Sequence, residues 1–404
     1  MGAPIMVLFE VLAIFCWFGS DKDWRPFQLK AIVWLTVFIL LSLLPVSFSD
    51  AFSKTALFIA GQTMVVILLA HATNSVSKHR VILGLFMTSA VVMSLHAIYQ
   101  IASEDKIGWT GIDAMVRHDS GDEPVWQARY IGIFQDPNDM GMVLAASLSF
   151  VVYFIFTCRN WLLKAAAIGC GGLILQGIYL ANSRGTILAV LASLAIYLMI
   201  KYNLLKALLP GLVLLPIVVT LLPSRFFISN DESSMERLNA WYEGYVMFKA
   251  NPLLGVGMGN FIDHHYKTAH NSWVLAYSEL GFVGFYFWMS VLFTSLFGVF
   301  VVSRVKVSDY PEMLPDMREK ILKEVNLAKA TFFGFIAVLA SAFFLSRTYT
   351  FPLYFFAGLS TASVIRATNN IPGFKVRPIQ FFVLCLSVVF IVLIALVVMV
   401  KGPG

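Results

Sequence analysis

The sequence predicts an all-α, polytopic membrane protein of about twelve transmembrane helices, with short amphipathic helices in one outer loop. Three observations predict it. Hydrophobic residues make up 59% of the 404 and charged residues only 13%, whereas a soluble domain carries roughly 45–50% and about 25%. The mean hydropathy is +0.79. The charged residues also gather in connections between long apolar runs. A soluble fold would have too few charges to cover so much apolar surface. In a bilayer, lipid solvates the outer face.

Runs of about 20 predominantly apolar residues, the length that a bilayer requires, fall at 3–19, 30–48, 54–73, 81–102, 139–157, 162–181, 185–201, 204–222, 273–303, 327–345, 349–366 and 379–400. Together they form one integral membrane domain, 1–404. Residues 3–19 read as a first or truncated span, because Glu10 interrupts the run and no basic segment precedes it as in a signal peptide. Residues 273–303 are long enough for a short approach helix followed by a span. Cys16, Cys158, Cys170 and Cys385 lie in or beside apolar runs without paired spacing, so neither a disulfide framework nor a metal site is expected.

Basic residues favour the odd-numbered connections. The ninth alone holds Arg304, Lys306, Arg318, Lys320, Lys323 and Lys329, and the eleventh holds Arg366, Lys375 and Arg377. The even-numbered connections are longer and sparser in Lys and Arg. The positive-inside rule therefore puts 104–138 and 223–272 outside the cytoplasm. The same alternation puts both termini outside, which points to a missed segment or to helices preceding this start. Residues 304–326 read as a solvated cytoplasmic loop with a helical stretch near its end. The net charge of +6 follows from this inside bias and calls for no nucleic acid.

The outer loops hold the candidates for chemistry. In 223–272, Leu238, Trp241, Tyr245 and Phe248 recur at helical spacing, which predicts an amphipathic helix. Arg184 stands between two apolar helices with Asn182, Ser183 and Gly185. It reads either as a snorkelling arginine or as part of a substrate path, with Gly185 letting substrate come close. Arg237 reads either as a surface partner of Glu236 and Glu243 or as an anion-facing group near a helix start. His270 precedes a helix that Asn271 and Ser272 can cap, and it can accept a proton near neutral pH. With His264 and His265 it fits no common zinc spacing. The PLLGVGMGN run, 252–260, lacks the context of a nucleotide loop and reads as a tight glycine turn. Asp136 and Asp139, in QDPND, read as a capping turn in preference to a metal-binding pair.

These segments resemble the O-antigen ligase / polysaccharide polymerase superfamily of bacterial membrane glycosyltransferases. The resemblance lies in GIFQDPNDMG (132–141), NSRG (182–185), ERLNAWYEGYVMFKANPLLGVGMGNF (236–261) and AHNSWVLAYSELGFVG (269–284), and it runs over about 130–300. It implies catalytic roles for Arg184, Arg237 and His270. It also implies an inner-membrane location, with 104–138 as a first periplasmic loop and 223–272 as the main periplasmic loop bearing the active site.

The implied donor is a glycan on undecaprenyl diphosphate. The acceptor is lipid A core or another glycan or protein, and membrane lipids surround the chain. The arginines would hold the diphosphate while His270 activates the acceptor hydroxyl, in one inverting step without metal or other cofactor. Asn271, Asn182, Ser183, Trp241 and Tyr242 are the expected substrate-binding residues. Polymerisation of repeat units is the alternative within the superfamily. Transport of a lipid or glycan is the alternative outside it, and it predicts paired ionisable groups in the spans. None is evident in the sequence, where His71, His96 and Glu10 are isolated.

Overall fold

A computed structural model describes residues 22–42, 50–118, 124–201 and 232–376. The expected spans at 3–19, 204–222 and 379–400 lie outside the described residues, as do 223–231 of the main outer loop. The described residues form eleven α-helices. Seven of the helices are long and apolar enough to cross a membrane, and the all-α polytopic prediction is borne out. The helices are α1 (Phe27–Ser42), α2 (Asp50–Ala72), α3 (Val76–Ala102), α4 (Pro137–Thr157), α5 (Trp161–Ala181), α6 (Arg184–Lys201), α7 (Glu232–Ala250), α8 (Phe261–His264), α9 (Ser272–Ser303), α10 (Pro315–Ala342) and α11 (Phe351–Asn370). Large apolar side chains such as Phe156 and Leu57 stand 80% and 74% exposed, as a lipid-facing surface requires.

The chain falls into two compact units, one of residues 1–82, 238–332 and 347–404, the other of 83–237 and 333–346. In the first, α1, α2, α9 and α11 pack on one another. Small residues let the helices close up. Gly358 lies against Val66 and Leu69, and Gly298 against Val364 and Gln28. Buried Gln28 donates to the Thr294 carbonyl at 3.0 Å.

This unit also holds a buried ion pair that the sequence reading missed. Arg366 grips Glu324 with Nε at 2.9 Å and Nη2 at 2.7 Å, and donates to the Thr73 carbonyl and to His79 Nδ1 at 2.8 Å. Arginine cannot accept, so the His79 proton sits on Nε2, 3.0 Å from Thr331 Oγ1. The pair escaped notice because Glu324 falls in the segment read as a loop and Arg366 stands at the very end of the run 349–366, where it counts as a loop charge. Helix α10 starts at Pro315, within the segment read as a solvated loop. Its first turns carry Glu319 and Lys323 paired at 2.7 Å on the exposed side, while Glu324 turns inward.

In the second unit α4 packs against α5 and α6. The connection after α3 contains a feature that helical periodicity does not reveal, a short hairpin of β1 (Met115–His118) and β2 (Pro124–Gln127). Beside it Arg129 binds Asp113 at 2.8 Å. The Asp113 backbone N–H and then Arg129 hold that exposed carboxyl below its usual range.

Helix α9 is the approach helix and span expected at 273–303, broken at Gly281 (φ 61°, ψ −169°). A break inside a membrane span strands backbone groups that water cannot reach. The glycine turn satisfies them. Val256 and Gly257 donate to the carbonyls of Ser278 and Glu279 at 3.0 and 2.9 Å, and Phe282 donates to the Pro252 carbonyl at 2.8 Å. Gly255 (φ 69°) and Gly281 lie back to back, and a Cβ on either would come within about 2.5 Å of the other segment's backbone. The glycine turn is thus a plug for a broken helix.

Candidate functional site

In the second unit, NSRG forms a two-residue break, Asn182 and Ser183, between α5 and α6. Asn182 closes α5 in the left-handed region (φ 45°, ψ 47°), which asparagine enters more readily than most residues. Gln127 Nε2 donates to the Asn182 carbonyl at 2.7 Å, and Ala128 N to the Leu180 carbonyl at 2.9 Å, so β2 satisfies the open end of α5. Ser183 caps α6, its hydroxyl accepting from Thr186 N at 3.1 Å. The same hydroxyl donates to Asn138 Oδ1 at 2.5 Å, and Asn138 Nδ2 donates to Asp136 Oδ1 at 2.7 Å. Asp136 in turn caps α4. One chain of hydrogen bonds therefore joins the starts of α4 and α6, and the capping reading of QDPND holds.

Arg184 is the first residue of α6 and is half-buried. The positive end of the helix opposes a cation there by about 0.3–1 kcal/mol. An anion at this end would be favoured by guanidinium and dipole alike. Gly185, expected to admit substrate, faces the Phe344 side chain instead, 3.1 Å from where its Cβ would stand. The chain itself fills that space.

In the first unit, His270 sits in the left-handed region at φ 48° and is half-buried. Asn271 follows and caps the approach helix, its Oδ1 accepting from Trp273 N at 2.9 Å and Val274 N at 3.2 Å. Ahead of the histidine, Trp241 Nε1 donates to the Ala269 carbonyl at 2.9 Å. Behind it, Ser272 is clasped by Arg347 N at 2.9 Å and Thr348 Oγ1 at 2.7 Å. The neighbouring histidines turn to backbone: His264 Nδ1 lies 3.0 Å from the Asn260 carbonyl and His265 Nδ1 2.8 Å from that of Lys267.

The buried stripe of α7 differs from the expected one. Ala240, Gly244 and Met247 are buried, while Leu238 is 48% exposed. Gly244 sets the contact, since a Cβ there would meet Val274 at 2.5 Å. Trp241, Tyr245 and Phe248 of the expected stripe are half-buried, and the small residues that permit close approach beside them carry no hydrophobic signal. Trp241 reaches the His270 turn; Tyr242, one position on, is 52% exposed. Arg237 lies half-buried beside Glu236 near the start of α7.

Sequence reasoning passed over Glu279, which is 2% exposed and accepts from Phe261 N at 3.2 Å, holding the start of α8. Its signal was available: it is a lone acid in the apolar run 273–303. Buried Tyr349 lies next to it.

The stretch carrying both turns is the one that comparison with known families picks out. Residues 170–289 match the family model described as O-antigen ligase, which supports that family for this chain. The match includes NSRG, all of α7, the glycine turn and the approach helix. GIFQDPNDMG falls outside it, yet Asn138 of that motif is bonded to Ser183 inside it. No curated protein matches the chain. The O-antigen ligase family implies a glycosyltransferase-like ligase or polymerase, acting on a lipid-linked glycan and a glycan acceptor in general, and the chain is a multi-pass membrane protein.

Proposed function

We propose that the protein is an O-antigen ligase-like enzyme. It transfers a glycan from undecaprenyl diphosphate to an acceptor hydroxyl at the periplasmic face of the bacterial inner membrane. The observation that carries the reading is His270, a residue in the matched stretch kept at positive φ by bonds on both sides. A non-glycine residue in that region costs about 1–3 kcal/mol and survives only where its surroundings impose it, most often at working sites.

His270 takes the proton of the acceptor hydroxyl as its oxygen attacks the anomeric carbon. The bond from that carbon to the diphosphate oxygen breaks, the configuration inverts, and undecaprenyl diphosphate leaves with the electron pair. Arg184 stabilises the charge gathering on a phosphate oxygen, aided by the start of α6. Arg237 contributes a second guanidinium to the diphosphate. Asn271 fixes the helix start behind His270, and Trp241 fixes the backbone ahead of it. Asn182 and Ser183 set the direction from which Arg184 leaves the chain. Tyr242 offers an exposed ring to a sugar.

Mass analysis of the product from a defined lipid-linked donor tests the reading. A single glycan joined to an added acceptor is expected. A ladder of repeat units without any added acceptor would make the enzyme a polymerase. Donor that crosses the membrane with its glycan unchanged would end the transferase reading.

A further inference from the structure

We propose that Trp109 is a sugar-binding residue, whose indole face takes the glycan of the lipid-linked donor; this rests on the glycan-transfer reading above. The residue stands in a tight turn of the connection after α3. Gly111 N donates to the Gly108 carbonyl and Gly108 N to the Ile112 carbonyl, both at 2.9 Å, and Ala114 N donates to the Lys106 carbonyl at 2.8 Å. The turn is pressed onto α3. His96, Tyr99 and Gln100 recur at helical spacing, so they share one face of that helix, and each meets the turn. The buried His96 ring packs edge-on to Trp109 with centroids 4.9 Å apart, and the Tyr99 ring lies 5.9 Å from it. Gln100 Nε2 donates to the Ile112 carbonyl at 2.8 Å. Gly108 lets the turn come this close, since a Cβ there would strike the His96 ring. Seated in this way, Trp109 is still 50% exposed, and Tyr99 beside it 53%.

Consecutive residues of one short stretch tie this seat to the NSRG turn. Gln127 Nε2 donates to the Asn182 carbonyl at 2.7 Å and Ala128 N to the Leu180 carbonyl at 2.9 Å. Arg129 turns the other way, its Nε donating to the Asp113 carbonyl at 2.6 Å and its backbone N to Gln100 Oε1 at 3.0 Å. Tyr130 completes the seat, its ring edge-on to His96 at 4.9 Å. The exposed rings are thereby held in register with the start of α6, where Arg184 meets the diphosphate in the proposed reaction. The glycan hangs from that diphosphate, and the C–H bonds on the face of a sugar ring pack well against the electron-rich face of an indole. A tryptophan of the interfacial belt needs only a boundary between membrane and water. It requires neither a seat that glycine alone permits nor bonds shared with the NSRG turn.

Two titrations of the full-length protein in nanodiscs, followed by thermophoresis, read this without turnover. One uses the native lipid-linked glycan extracted from the cells that express the protein, the other undecaprenyl diphosphate without a glycan. The wild type should bind the glycan-bearing lipid more tightly. Trp109→Ala should weaken that binding about 10-fold and leave binding of the bare diphosphate unchanged, with Trp109→Phe keeping most of the affinity. Trp161→Ala, which removes a 72% exposed tryptophan at the opposite end of α5 from NSRG, should change neither. If Trp109→Ala lowers the Tm, Trp109→Leu compared with Trp109→Phe decides, because both fill the seat and only the second keeps a ring. Unchanged affinity for the glycan-bearing lipid, or an equal loss for both lipids, would overturn the proposal and leave the transferase reading standing. So would a wild type that binds the two lipids alike. A wild type that binds neither would overturn both.

Discussion

The NSRG turn and the His270 turn are built alike and differ in where the unusual residue stands. Each puts one residue in the left-handed region, Asn182 at φ 45° and His270 at φ 48°. Each then starts a helix with a capping side chain, Ser183 in one and Asn271 in the other. In the first turn the strained position goes to asparagine, which tolerates it, and the arginine follows on regular helix. In the second the histidine itself takes the strain. A residue rooted in a short, capped, over-determined turn has few directions open to it. Histidine has a short side chain and needs its backbone fixed; arginine is long and needs only a defined origin.

Replacing His270 by Asn would sharpen the contrast most. Asparagine keeps the left-handed turn but cannot serve as the base, so glycan transfer should fall by about 100-fold or more while the Tm stays near that of wild type. A large drop in Tm would mean that the ring is structural. Next comes Arg184→Ala, for which a transfer rate about 100-fold lower at matched protein level is expected, with Arg184→Lys between; full activity in the alanine variant would remove the arginine from the mechanism.

The smallest effect concerns the caps. Ser183→Ala and Asn271→Ala each lose about 1 kcal/mol of helix capping. The serine change also leaves Asn138 Oδ1 without its donor, a further cost of about 1 kcal/mol. The asparagine change removes an amide nitrogen that already lacks an acceptor among the described residues. Ser183→Ala should therefore melt lower than Asn271→Ala in a thermal shift assay, and the reverse order would break the comparison.

Much of this architecture is legible because membrane helices announce themselves by length and apolarity. The expected 139–157, 162–181 and 185–201 fall within a few residues of α4, α5 and α6. The glycine turn and the approach helix are also visible as patterns. What escaped depends on polar residues whose partners are distant in sequence. Glu324 and Arg366 look like loop charges until α10 and α11 bring them together. Helix α11 answers to the expected run 349–366, but its Ser360, Thr361, Ser363 and Arg366 give no sign of how deeply it is packed, and most of its residues are buried. The closest contact of α7 was missed because Gly244 contributes closeness and no hydropathy.

By itself the sequence determined that this is a helical membrane protein, that its candidate chemistry lies in NSRG, α7 and AHNSW, and that Asn271 and Ser272 stand where a cap belongs. Capping, span length and glycine turns are local, set by residues a few positions apart. Only the tertiary structure decided that Asn138 reaches Ser183 and Trp241 reaches Ala269. It also decided that the glycine turn seals a broken helix, and that Thr348 and Arg347 clasp Ser272. Those bonds join segments tens of residues apart. Burial away from water requires each stranded donor or acceptor to find a partner, and the identity of that partner is settled by which helices pack together.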